Sequence, residues 1–114
     1  MEHEKEIRWM GSSYHDLLAF PEEPRRRAGI QLGKIQAGLD PDDWKPFDSI
    51  GAGTREIRIR EADGIYRVMY VANFVKAVYV LHCFRKTTQA TSKQDSDIAA
   101  ARYRHVANIG EVQQ

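Results

Sequence analysis

Between Arg55 and Lys86 the chain carries seven lysines and arginines (Arg55, Arg58, Arg60, Arg67, Lys76, Arg85, Lys86) against three acids (Glu56, Glu61, Asp63), although its formal net charge is only +1. A field that is basic in one stretch suits recognition of a single phosphate-bearing segment better than a coat over nucleic acid. Arg58 and Arg60 alternate with Ile57 and Ile59, and His82 to Lys86 form the polar end of an apolar run. On residue type alone, a solvated face paired with Glu56 and Glu61 is the commoner setting for Arg58 and Arg60, and an ordinary lysine at a strand end the commoner one for Lys86. His82, in line with Val78 and Val80, is equally a hydrogen-bonded structural histidine.

Other chemistries find less support. His3, His15, His82 and His105 lack metal-ligand spacing, so neither a metal nor a cofactor is predicted. Cys83 leaves an extended strand on the opposite side from His82, which argues against a Cys–His nucleophile pair. Gly51-Ala52-Gly53 precedes a strand instead of opening a helix, unlike a phosphate-binding loop.

The elements that must position these residues are three successive strands. Arg55–Glu61, Ile65–Asn73 and Val75–Lys86 are predicted, with an Asp63-Gly64 hairpin turn and a second reversal at Asn73-Phe74. In the third strand Lys76, Val78, Val80, His82, Phe84 and Lys86 are expected on one side, and Ala77, Tyr79, Leu81, Cys83 and Arg85 on the other. Both sides are largely apolar, which predicts a central strand covered on each face. Upstream, Lys5–Met10 alternates as a short edge strand, and Ser13-Tyr14-His15-Asp16 has the form of a capping box opening a short helix stopped by Pro21. A second helix is predicted over Glu22–Gly38, with Ala28, Leu32, Ile35 and Leu39 along one stripe. Asp40–Gly53 reads as a loop pinned by Trp44 and Phe47. Ser92-Lys93-Gln94-Asp95 again has capping-box form and opens a helix over Lys93–Ala107, with Ala99, Tyr103 and Val106 inward and a frayed tail beyond Asn108.

These elements predict an α+β fold in which an N-terminal strand and a helical hairpin pack on a small antiparallel-rich sheet, followed by a C-terminal helix. A length of 114 residues with 42% hydrophobic content suits one domain over 1–114. The single cysteine cannot form an internal disulfide, no apolar run reaches membrane-spanning length, and the opening MEHEKEIRWM is too charged for a signal peptide. A cytoplasmic protein without membrane contact is therefore expected.

The run REIRIREADGIYRVMYV followed by AVYVLHCFRKTTQATSKQDSDIAAARYR resembles the RelE/ParE superfamily of bacterial toxins. It is most similar to the phage-derived, HigB-like branch, whose members carry an aromatic-Arg strand and an H-x-F-x-K-x-T-Q-x-T segment. In this chain that segment is His82-Cys83-Phe84-Arg85-Lys86-Thr87-Thr88-Gln89-Ala90-Thr91. The likeness includes Trp9-Met10-Gly11-Ser12-Ser13 and Leu39-Asp40-Pro41-Asp42-Asp43-Trp44-Lys45-Pro46. The resemblance implies a RelE-like fold and a metal-independent endoribonuclease (an mRNA interferase) that cuts mRNA in the ribosomal A site and inhibits translation. Its implied partner is a helix-turn-helix, HigA-like antitoxin. Because the superfamily also holds gyrase inhibitors, a noncatalytic ParE-like toxin remains open, as does an inactive prophage module that only binds its antitoxin. Thr87-Thr88, where relatives often have another lysine, fits the last possibility.

RNA cleavage by a 2′-hydroxyl needs a proton acceptor, stabilisation of extra negative charge and a donor to the departing 5′-oxygen. The resemblance gives Lys86 the donor or charge-stabilising role, with crowding by Arg58, Arg60 and Arg67 expected to lower its pKa. Arg67, in the Tyr66-Arg67 pair, would grip the scissile phosphate bidentately, and Arg58 and Arg60 match the basic row of the preceding strand. His82 is a candidate base. Tyr66, Phe84 and Arg85 are candidate RNA-binding residues.

Overall fold

The computed structural model describes residues 4–88 and 90–108; the tail expected to fray, and Gln89, lie outside the described residues. Alternation of apolar and polar residues yields strands β1 (Glu6–Trp9), β3 (Thr54–Glu61), β4 (Gly64–Val71) and β5 (Ala77–Lys86). The longer apolar periods yield helices α1 (Ser13–Leu18), α2 (Glu22–Gln36) and α3 (Lys93–Asn108). One further strand, β2 (Trp44–Pro46), lies within the stretch read as loop. Its composition gave no strand signal. It pairs antiparallel with β3, and Arg55 lies 3.9 Å over the Trp44 ring, so the contact that orders it is tertiary. Pro46 is compatible with an edge strand, where a missing N–H costs little.

The sheet order is β1-β5-β4-β3-β2. β1 runs parallel to β5 and the other pairs are antiparallel, giving an α+β fold on a five-stranded mixed sheet. α1 and α2 cover one face, where Leu17, Phe20, Ala28, Leu32 and Ile35 pack on Ile57, Ile59, Val68, Val78 and Val80. α3 covers the other face, where Ala99 and Val106 pack with Met69, Val71, Tyr79, Leu81 and Phe84. β5 is central, with β1 on one side and β4 on the other. Among the described residues no helix is long and apolar enough to cross a membrane.

Local chemistry sets the element ends. α2 closes in a Schellman motif: Gly38 takes φ 86°, Leu39 N–H donates to the Lys34 carbonyl and Gly38 N–H to that of Ile35. Leu39 is thereby turned out and is 60% exposed, which corrects the stripe that placed it in the core. The first capping position is Ser12, not Ser13. Ser12 Oγ donates to Asp16 at 2.7 Å, while buried Ser13 donates to the Val80 carbonyl at 3.1 Å. The second capping box forms in one half, with Asp95 N–H donating to Ser92 Oγ at 3.1 Å, while the Asp95 carboxylate is engaged by other side chains.

β5 contains a bulge. Met69 pairs with His82 and Tyr70 with Val80, so Leu81 is the extra residue. The alternation expected for this strand therefore fails midway: Ala77, Tyr79, Leu81, His82, Phe84 and Lys86 face α3, while Val78, Val80, Cys83 and Arg85 face the helical hairpin. The bulge carbonyl is held by Arg102 Nη1 of α3 at 2.9 Å. Without it, His82, Phe84 and Lys86 would lie under α1.

Candidate functional site

Register places Arg58, Arg67 and Phe84 in one row across β3, β4 and β5, with Glu56, Met69 and His82 in the row before and Arg60, Ile65 and Lys86 in the row after. Six of the sequence-predicted residues (Arg58, Arg60, Arg67, His82, Phe84, Lys86) thus share the face under α3. Tyr66 and Arg85 pair with each other on the opposite face. There the Tyr66 hydroxyl donates to Asp63 at 2.8 Å and its ring meets Phe20 edge-on at 4.9 Å, while Arg85 lies 3.6 Å from Asp63. The structure does not bring those two to the other six.

Beneath the surface the row becomes a charge network. Glu56 and Arg67 are both 0% exposed. Glu56 accepts from Arg58 Nε at 3.1 Å, from Arg67 Nη1 at 3.4 Å and from the Thr91 hydroxyl at 3.2 Å. Arg67 also donates to the Thr91 hydroxyl at 3.0 Å and to the Thr88 carbonyl at 2.9 Å. Its guanidinium thus ties the β5–α3 connection to the sheet and, in this arrangement, is turned inward, away from any phosphate outside. The bidentate grip expected of it requires a surface position that it does not hold.

A second cluster gathers on Asp95, in the first turn of α3. Its Oδ1 lies 2.8 Å from His82 Nε2, its Oδ2 lies 3.3 Å from Lys86 Nζ, and Ser92 Oγ donates to Oδ2 at 2.8 Å. Burial alone would raise the pKa of this carboxyl, but the hydrogen bonds from His82, Ser92 and Lys86 outweigh it and hold Asp95 below the ordinary carboxylate range. His82 is 6% exposed and stacks on Phe84 with centroids 4.7 Å apart and planes 21° apart. Lys86 therefore has an anion against it, and the crowding by arginines expected around it gives way to an ion pair. Its side chain keeps 23% of its surface in solvent.

The outer rim is what a ligand would meet. Arg60 is half exposed and bonds Asp43 at 2.9 Å. A cleft of about 460 Å³ over the hairpin tip is lined by Arg60, Asp63, Gly64, Ile65 and Thr87, next to Lys86. Gly64 is required at that tip: it takes φ 141°, and a Cβ there would lie 2.9 Å from the Lys86 carbonyl oxygen. A second cleft, of about 400 Å³, lies at the far end of α2. Its cations are already committed, Arg55 to Asp40 and Lys5 to the Ala72 and Phe74 carbonyls. On the hairpin side, Cys83 is buried, and burial pushes its thiol pKa far up, which leaves it a packing residue. Among the described residues no group of three or more His, Cys, Asp or Glu side chains is placed to hold a metal ion.

Sequence reasoning missed Asp95, Glu56 and Thr91. Asp95 had a signal, since it was assigned as the capping acid that opens α3. Glu56 had a weaker one, as an acid within the charged row of a strand flanked by buried neighbours. Thr91 had none beyond membership of the segment from His82.

The family comparison meets this geometry. Residues 15–104 of the 114 match the family model described as Phage derived protein Gp49-like (DUF891). No curated protein and no solved structure matches the chain. The match takes in most of α1, all of α2 and of β2 to β5, and most of α3 with Asp95. The chain belongs to the Gp49-like family of phage-derived proteins, a family tied to RelE and toxin–antitoxin modules.

Proposed function

We propose that this chain is the toxin of a type II toxin–antitoxin system, of the HigB-like branch, and that it acts in the cytoplasm as an endoribonuclease on mRNA in the ribosomal A site. A helix-turn-helix, HigA-like antitoxin silences it. The observation that carries the reading is that Arg58 and Arg60 of β3 and Lys86 of β5 share one sheet face across β4, with Arg60 lining an open cleft at the hairpin tip, in a family tied to such modules. In this mechanism the 2′-hydroxyl gives its proton to solvent water, since His82 is buried against Asp95, while its oxygen bonds to the adjoining phosphorus and the bond from phosphorus to the 5′-oxygen breaks. Arg58 and Arg60 offset the charge that grows on the phosphoryl oxygens, and Lys86 gives a proton to the departing 5′-oxygen. Arg67, buried with Glu56, supports the site from below.

The burial of Arg67 and His82 favours a second reading, in which the site binds without cutting. The protein would then be a noncatalytic toxin acting on DNA gyrase, or an inactive prophage module that retains only antitoxin binding. Inducing the chain in growing cells and mapping transcript ends separates these. Discrete mRNA cuts that vanish in Lys86→Ala support the nuclease. DNA breaks with intact transcripts support the gyrase reading, and unimpaired growth supports the inactive module.

A further inference from the structure

The acid of a capping box ordinarily turns back to the backbone amide of its own cap residue. Asp95 instead directs both oxygens at β5, one to His82 Nε2 at 2.8 Å and one to Lys86 Nζ at 3.3 Å. Those partners lie four positions apart on one strand, so the carboxylate spans them and cannot rotate without losing a contact. His82 is itself wedged, stacked on Phe84 and almost wholly buried.

We propose that Asp95 is the positioning residue of the site, a carboxylate that fixes where the Lys86 ammonium stands, with His82 as the wedge that fixes the carboxylate. The inference rests on the reading of Lys86 as the group that meets RNA; Asp95 and His82 act through it.

The proton inventory follows from the geometry. An ionised carboxylate only accepts, so Nε2 of His82 must carry the hydrogen it shares with Asp95. Its other nitrogen, Nδ1, is buried and has no hydrogen-bond partner among the described residues. Asp95 is therefore what selects the ring's tautomer, and removing the charge releases that selection. The helix cap is separable from this role only in its backbone half, because Ser92 Oγ also donates to Asp95 Oδ2 at 2.8 Å and that contact changes with the carboxylate. Ser92 Oγ accepts the Asp95 backbone N–H, a bond that Asp95→Asn retains.

The test uses the full chain as wild type, Asp95→Asn and Val106→Ala. Val106 is a buried residue of α3 that faces the sheet in the apolar cluster, so its truncation weakens the docking of the helix without touching Asp95. Nitrogen-15 spectra of the histidine and lysine side chains are read beside cleavage of ribosome-bound mRNA. In the wild type, His82 is a single Nε2–H tautomer and the Lys86 ammonium gives a protected signal. In Asp95→Asn the tautomer becomes mixed, the Lys86 signal is lost to exchange, and kcat falls about 100-fold with KM nearly unchanged. Val106→Ala melts lower yet keeps both signatures and its kcat. Should Asp95→Asn fail to fold, Asp95→Glu carries the test: it keeps the charge one methylene further out, so the Nε2–H tautomer is retained while the Lys86 signal shifts and kcat falls by less than in Asp95→Asn. Unchanged His82 and Lys86 signals, or full cleavage by Asp95→Asn, would overturn the proposal. A wild type that cuts nothing sinks the nuclease reading alone, and the spectra still decide whether Asp95 holds Lys86.

Discussion

Beneath α1 and α2 the sheet buries mainly apolar side chains: Ile57, Ile59, Val68, Val78 and Val80, with Tyr66, Tyr70 and Cys83 beside them, meet Leu17, Phe20, Ala28, Leu32 and Ile35. Beneath α3 it also buries Met69, Val71 and Leu81, but toward the polar end of β5 the contacts become Glu56 with Arg67 and Asp95 with His82 and Lys86. The first face is held by area removed from water, a non-directional effect that tolerates shape-conserving exchange. The second is held at one end by charges taken out of water, each of which needs its partner in place. Directional contacts fix side chains in space where apolar ones only fill it, and the candidate site lies where the directional contacts are.

The largest effect expected from this contrast is at the buried pair. Arg67→Met alone or Glu56→Leu alone removes one member of a buried charge pair and is expected to cost about 3–5 kcal/mol, whereas the double variant recovers most of that loss. Urea denaturation of the three variants measures it. Single variants within about 0.5 kcal/mol of the wild type would erase the contrast. On the face under α1 and α2, Ile57→Ala is expected to cost about 2–5 kcal/mol and Ile57→Val about 0.5–1.5 kcal/mol, a graded series without a rescuing partner.

A smaller effect is expected at Asp95, through pH. Its folded-state pKa lies below the ordinary value, so below the ordinary range the unfolded chain binds a proton that the folded chain does not. That carboxylate's stabilisation is complete above its unfolded pKa of about 3.9 and is lost as pH falls through the lower folded value. Denaturant titrations at about pH 6 and about pH 3 should show a larger acid loss for the wild type than for Asp95→Asn, and equal losses would contradict the assignment. The smallest effect is at Cys83, whose thiol is buried on the face under α1 and α2 with its pKa pushed up. Iodoacetamide should leave the native protein unlabelled and label it fully in denaturant. Rapid native labelling would show that this face is looser than described.

Periods of two and of about 3.6 residues located β1, β3, β4, β5 and all three helices, because each buries one face and the pattern records which. The cap at Ser92–Asp95 was also legible, since its chemistry is local. The bulge at Leu81 was not. A single extra residue changes which face every later side chain joins, and nothing in VYVLHCF marks it. β2 escaped notice because it is three residues long, contains a proline and is flanked on both sides by turn-formers. Arg67 was recognised as important but not as interior, because the acid that buries it comes from another strand. Asp95 was assigned to a helix start, and its contacts to His82 and Lys86 exist only once α3 lies on the sheet.

The central claim is that Lys86, held at the open end of the charged face, takes part in cutting RNA. It is tested most directly with purified protein added to ribosomes programmed with a defined mRNA. The account predicts that the wild type cuts the message and leaves new 5′-hydroxyl ends, and that Lys86→Ala, folded and melting within a few degrees of the wild type, cuts nothing. An intact message with the wild type, or equal cutting by Lys86→Ala, would contradict it.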